Sequence, residues 1–261
     1  MKSTERFINV PYATAALMAL VVLSAALAAA SSDPALSTTV SRADDYYQGR
    51  RDLDNVRKAL AILQADVSQH PADYAAWWRI SEYDCYLARH VPDRKRKPIL
   101  QAGFKAGREA EKVDDAGPEG HFWTGANEGL LAEESGLIAG LRMVGSIRSE
   151  MQTVMKLAPA YQQYGAERIL GRLYYRLPFF AGGNKQLSLH LLQDCLKRYP
   201  DNSLTLLYLA DVYRSVGRPG EARALLERVL KLCPDPDYGP EQADNQAVAR
   251  HELQTYFHAS G

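Results

Sequence analysis

A chain of 261 residues, 46% of them apolar, is long enough and apolar enough to bury a full-sized core. Its 31 Lys and Arg balance 31 Asp and Glu, so no net field selects nucleic acid, an anionic membrane surface or a polyanionic substrate as its partner. Cys85, Cys195 and Cys233 are far apart in sequence, which describes neither a disulfide framework nor a zinc site.

At the N-terminus Lys2 and Arg6 precede an uncharged stretch, Phe7 to Ser32, whose apolar heart runs from Ala13 to Ala30 and ends among small residues. This reads as a secretory signal peptide over residues 1–30, cleaved near Ala30, with an uncleaved anchor as the alternative. The expected location is outside the cytoplasm, in the periplasm, and without a lipid anchor, because no Cys follows the stretch. Residues 31–52 are assigned to a linker and the start of a capping helix, and residues 53–261 to one helical domain.

Downstream, Pro71, Pro159, Pro200 and Pro234 each follow an amphipathic helical pattern. Pro200 and Pro234 are 34 residues apart. In that frame Leu206, Leu209, Ala210, Tyr213, Gly217, Ala222, Leu226 and Val229 occupy the positions that define a tetratricopeptide unit: small where two helices cross closest, large where space between them must be filled. The other units are more degenerate but hold the phase through Trp77, Ile80 and Ser81, then Phe122, Thr124 and Gly125, then Leu170, Gly171 and Tyr174. The fold class is therefore all-α, a tetratricopeptide-type solenoid of helical hairpins. The expected pairs are 72–115, 118–159, 160–200 and 201–234, with capping helices near 53–70 and 240–258. Cys195 and Cys233 are expected as buried, inert thiols, an oxidised pair being the other reading.

The third unit departs from the repeat. Its second helix starts late, after Leu177-Pro178-Phe179-Phe180-Ala181-Gly182-Gly183-Asn184-Lys185. Two readings are open. Phe179 and Phe180 plug a gap while Gly182 and Gly183 turn the chain; or exposed aromatics bind something while free amides at the following helix start, with Lys185 beside them, hold an anion. Adjacent Trp77 and Trp78 cannot both face one core layer, so one is expected to face the groove of the solenoid or the next helix, ligand stacking being a further reading. Arg94-Lys95-Arg96-Lys97 reads as a solvated helix entrance. No two of the six histidines lie four residues apart on a helix, and no phosphate loop or nucleophile elbow is present. A dyad of His121 with Glu133 or Glu134 can be drawn but has no specific support. The chain is read as a non-enzyme, with no metal site and no cofactor.

Residues from about Gly120 to Asp237 resemble the T-component family of TRAP transporters, tetratricopeptide accessory proteins of tripartite periplasmic uptake systems. The resemblance rests on the runs Gly120 to Asn127, Gly165 to Tyr175, Pro178 with Gly182-Gly183-Asn184-Lys185, Tyr199 to Asn202, Leu209 to Tyr213 and Pro234 to Asp237. It implies a scaffold that assists a periplasmic solute-binding subunit as its protein partner and itself holds a small apolar or anionic ligand, here near Arg168, Arg172, Tyr175 and the Phe179–Lys185 loop. Members are often lipoproteins, and the lack of a lipid-accepting Cys is a departure. A general interaction scaffold for envelope assembly, with no transport role, is the alternative. Nucleic acid is not an expected partner, and a homo-oligomer is left open.

Overall fold

The computed structural model describes residues 34–257, so the signal-peptide assignment lies outside the described residues. The chain divides into two compact units, Met1–Thr38 and Thr39–Gly261; of the first, only 34–38 are described, and the helical array belongs to the second. Eleven α-helices and no strand are present among the described residues, and none of these helices is long and apolar enough to cross a membrane.

In chain order the helices are α1 (Pro34–Gln48), α2 (Leu53–Gln69), α3 (Tyr74–Arg89), α4 (Asp93–Val113), α5 (Pro118–Glu134), α6 (Leu137–Leu157), α7 (Tyr161–Arg176), α8 (Lys185–Arg198), α9 (Ser203–Ser215), α10 (Pro219–Lys231) and α11 (Gly239–Phe257). Short polar side chains open several of them. Asp73 accepts from the Ala76 amide, Asn184 from Leu187 and Asn202 from Thr205, each satisfying a donor that the first turn leaves without a partner. Pro118 and Pro219 start α5 and α10, where a missing N–H costs nothing. Residues 34–48 form a helix where the sequence suggested mostly linker. Val40 and Ala43 on it are buried with Val56, Leu60 and Tyr83, so the array begins one helix earlier than its proline spacing indicated.

The expected hairpins are α3/α4, α5/α6, α7/α8 and α9/α10. From α2 onward each helix packs on the next, and α3, α5, α7, α9 and α11 also pack on one another in succession, which makes them the inner row of a solenoid. The frame read from the last repeat is the observed core: Leu206, Leu209, Ala210, Ala222, Leu226 and Val229 are all buried, and Gly217 turns the chain with φ +78°.

The solenoid curves until its ends meet. Arg50, between α1 and α2, makes a bidentate pair with Glu241 on α11 (Nε–Oε1 and Nη2–Oε2, both 2.8 Å) and donates to the Asp237 carbonyl at 2.6 Å. His90, just after α3, reaches Asp244 at 2.8 Å. Side chains about 190 residues apart thus close a ring.

Candidate functional site

The ring lines an open cavity of 1110 Å³ along the inner helices, large enough for an organic ligand. Leu130 on α5, Leu137, Leu141 and Val144 on α6, and Leu173 on α7 form apolar parts of its wall; Arg50, Arg89, Arg168, Arg172 and Arg176 bring cations to it, and Glu82, Glu133 and Glu241 bring carboxylates. Several of these charges are committed. Arg172 pairs with Asp211 at 2.6 Å and Arg176 with Glu133 at 3.6 Å. Burial pushes the Glu82 carboxyl up to about 8, so near neutral pH it is mostly a neutral acid.

Arg168 is 7% exposed and its bonds run to backbone carbonyls: Nη1 to Gln163 and Nη2 to Gln162, both 3.0 Å. Burial pulls its pKa down. Those two carbonyls belong to a kink inside α7, where Gln162, Gln163 and Tyr164 have φ of 51°, 54° and 61°. Each left-handed non-glycine residue costs about 1–2 kcal/mol. Side-chain bonds also hold the kink, from Tyr238 Oη to Gln162 (2.8 Å) and from Asn202 to Gln163 (2.5 Å).

The residues singled out from sequence are dispersed. Arg168 and Arg172 line the cavity; Tyr175, Trp77, Trp78 and the loop residues Phe179 to Lys185 do not. Trp77 packs partly into the N-terminal core and donates to the Pro71 carbonyl, and Trp78 lies under the Arg79 guanidinium at 4.0 Å, so neither tryptophan offers a stacking face to the cavity. Tyr175 packs against the core around Leu192 and Leu209.

The loop does not fill a gap, contrary to the first of its two readings. Phe179 is 92% and Phe180 77% exposed, so they plug no gap. They ride on a 3₁₀ turn, Phe179–Ala181, that is firmly pinned: the Gly183 amide donates to Pro178 (3.0 Å) and the Asn184 amide to Tyr174 (2.9 Å). Both glycines are needed. Gly182 has φ +87°, and a Cβ on Gly183 would collide with the Leu177 carbonyl oxygen. The expectation of free amides at the start of α8 is corrected for one of them: the Asn184 side chain caps the Leu187 amide, and Lys185 Nζ points away to the Ser215 carbonyl at the end of α9 (3.3 Å). The cysteine expectation is corrected in part. Cys195 is buried and its thiol pushed up to about 12, whereas Cys233 is exposed beyond the end of α10, and both are free.

One cluster had no sequence signal. His121 on α5 is paired not with Glu133 or Glu134 but with Glu150 on α6 (Nδ1–Oε2 2.7 Å), and Glu111 on α4 stands 3.9 Å from the same nitrogen. Glu128 is buried nearby. The hydrogen bond to Glu150 raises the His121 pKa to about 9, and burial raises those of Glu111 and Glu128. His121 and Glu111 are ten residues apart across a turn, but Glu150 reaches them only through the α5/α6 packing.

Comparisons with known proteins agree with this architecture. Residues 204–239 match the tetratricopeptide repeat family, over the same unit whose frame is complete in the sequence. A comparison with curated proteins gives no match. Among solved structures, the fold is similar to a thermophilic tetratricopeptide protein of Thermus thermophilus (16% identity, 83% of this chain and 99% of that one, TM-score 0.60). It is also similar to PilW, a widely conserved type IV pilus biogenesis factor (17% identity, 87% and 95%, TM-score 0.57). At such identities the likeness shows the fold. This chain thus has the fold of a tetratricopeptide-type repeat protein.

Proposed function

We propose that this chain is an exported, non-catalytic scaffold serving a TRAP-type uptake system, which docks a periplasmic solute-binding subunit through Phe179 and Phe180. The observation that carries the reading is the exposure of two adjacent phenylalanines, 92% and 77%, on a turn whose backbone is fixed by hydrogen bonds. A flexible loop would lose entropy on binding; a pinned one presents its rings already ordered. The runs that resemble the T-component family, Gly165 to Tyr175 and Gly182 to Lys185, flank this turn and supply the choice of partner. The ring cavity, with apolar wall and arginines, suits the small apolar or anionic ligand of the same reading.

The test uses the purified protein and the solute-binding subunit encoded beside it. Burying a phenylalanine contributes about 1.5–3 kcal/mol, so Phe179→Ala with Phe180→Ala should raise the Kd at least about tenfold and leave the unfolding midpoint nearly unchanged. Failure of the parent to bind that subunit, or the lack of such a gene, removes the transport role and leaves the envelope-assembly scaffold. Cell fractionation with N-terminal sequencing checks export: an intact Met1 in a membrane fraction would show an anchor in place of a cleaved signal.

A further inference from the structure

We infer that Glu111, His121 and Glu150 form a buried binding site for a first-row divalent cation of the zinc type, held between α4, α5 and α6. The three donors come from three helices, and their ligand atoms all lie within 4.8 Å of one another. The inference is independent of the docking role proposed above.

The atoms facing inward are the ones a metal needs. The Asp115 backbone carbonyl accepts from His121 Nε2 at 2.9 Å, which places the proton on that nitrogen and leaves Nδ1 turned toward two carboxylates. Arg108 holds the outer oxygens of both acids, Oε2 of Glu111 and Oε1 of Glu150. Glu150 Oε2 and Glu111 Oε1 then point at Nδ1 from 2.7 and 3.9 Å. Glu111 Oε1 is the telling atom. It belongs to a residue only 6% exposed and closes no hydrogen bond of good geometry, although the buried Thr124 hydroxyl lies close enough to favour its charged form; an incompletely satisfied buried carboxylate is costly. Every donor therefore already has the outer partner that orients a metal ligand. Zinc bonds of about 2.0–2.2 Å in a tetrahedral site separate ligand atoms by about 3.4 Å, so the His121–Glu150 pair must open and the His121–Glu111 pair close, each by less than an ångström.

Charge leads to the same occupant. Three carboxylates, Glu111, Glu128 and Glu150, are buried together, while the cations facing them are Arg108 and, when protonated, His121. One imidazole with two carboxylates suits zinc, cobalt or nickel better than magnesium, which prefers oxygen throughout. The helices come close enough because Gly120 and Gly125 carry no Cβ: at Gly120 it would stand 3.3 Å from the Glu111 amide nitrogen, and at Gly125 3.2 Å from Glu150 Cβ.

The purified protein, treated with EDTA and exchanged into metal-free buffer, is titrated with Zn²⁺ by calorimetry and with Co²⁺ by visible absorption. One equivalent of tight binding is expected, with a cobalt d–d band and a raised melting temperature. His121→Asn, Glu150→Gln and Glu111→Gln should each weaken it at least about tenfold. His190→Asn, which disrupts an exposed His190–Asp194 pair, should leave it unchanged. Should His121→Asn fail to fold, Glu111→Gln carries the test, as it alters the oxygen that closes no hydrogen bond of good geometry. Lack of an equivalent of bound zinc or cobalt, binding that persists in the His121 or Glu111 variant, or binding lost with His190 overturns the inference.

Discussion

Gly171→Leu tests the repeat phase where the sequence is least regular. Gly171 sits on α7 in the third unit, at the position where the neighbouring helix crosses closest. A Cβ there would meet Leu192 Cγ at 2.8 Å and Cδ2 at 3.0 Å, and Leu192 is fully buried. The crossing is also tied by Ser188 Oγ donating to the Gly171 carbonyl at 2.7 Å, so α8 cannot retreat without loosening that bond. Replacing a helical glycine gains about 0.5–1 kcal/mol of backbone entropy. Forcing extra methylenes into a packed core costs about 1–3 kcal/mol or more, and here the collision is with an immobile side chain. The expected net loss is about 1–3 kcal/mol, read as a lower denaturant midpoint with an unchanged slope. Ala210→Leu, at the equivalent place in the fourth unit, should behave alike, since Ala210 is 1% exposed. Adding Leu192→Ala to Gly171→Leu should restore part of the loss, with a coupling of at least about 0.5 kcal/mol. A Gly171→Leu midpoint equal to the parent's, or strict additivity with Leu192→Ala, would refute the assigned crossing.

Arg50→Ala should open the ring, because it removes a pair whose side chains are 9% and 18% exposed; a stability loss of about 2–4 kcal/mol and faster amide exchange along α11 are expected, and unchanged exchange would show that the ends are held otherwise. Glu82→Gln should flatten the pH dependence. A carboxyl raised from 4.5 to about 8 keeps a proton that the unfolded chain gives up, so the parent loses stability as pH rises across that window; because Glu82 lines the cavity, the variant should be the more stable at pH 8.5 by about 1–2 kcal/mol and near parity at pH 4.5, in denaturant melts. Gly183→Ala should destabilise by about 1–3 kcal/mol, since its Cβ would collide with the Leu177 backbone, while an alanine at Gly129, which meets nothing within 4 Å, should not destabilise in the same melts.

The repeat was legible because its demands are local in size. A position where helices cross must be small and its neighbours large, so Leu206 to Val229 declared the frame, and the frame set the hairpin boundaries to within a few residues. Ring closure was not legible. It depends on a small rotation accumulated over every hairpin, and Arg50 and Glu241 are ordinary surface charges until that sum brings them together. The exposure of Phe179 and Phe180 was undecidable for a related reason: whether an insertion collapses onto a core depends on the depth of the gap beside it. The glycine pair was informative about backbone geometry, positive φ at one residue and close approach at the other, and misleading about the amides of α8, whose cap Asn184 was itself visible in the sequence. Cys233 was assigned to a buried helix face, but α10 ends at Lys231 and the thiol falls in the following loop.

Helix α7 is where the fold gives up most local stability. Three consecutive left-handed residues, none of them glycine, open it, and the guanidinium that holds the Gln162 and Gln163 carbonyls is buried with no carboxylate bonded to it. The left-handed residues cost about 1–2 kcal/mol each and the buried guanidinium about 1–3 kcal/mol, and neither feature is needed to stack one hairpin on the next, since α9/α10 does so without them. A sequence that departs from its own repeat at a cost commonly does so where it binds something. Gln162, Gln163, Arg168 and Arg172 all line the cavity, and the same helix ends in the turn that exposes Phe179 and Phe180. Two of Arg168's donors are spent on the kink, so an anion entering the cavity would find Arg168 already oriented by the carbonyls it holds, a rigidity that a lysine, lacking the planar fork, could not supply. The inner wall and the outer turn are therefore parts of one irregular unit, set into three regular ones that keep it in place.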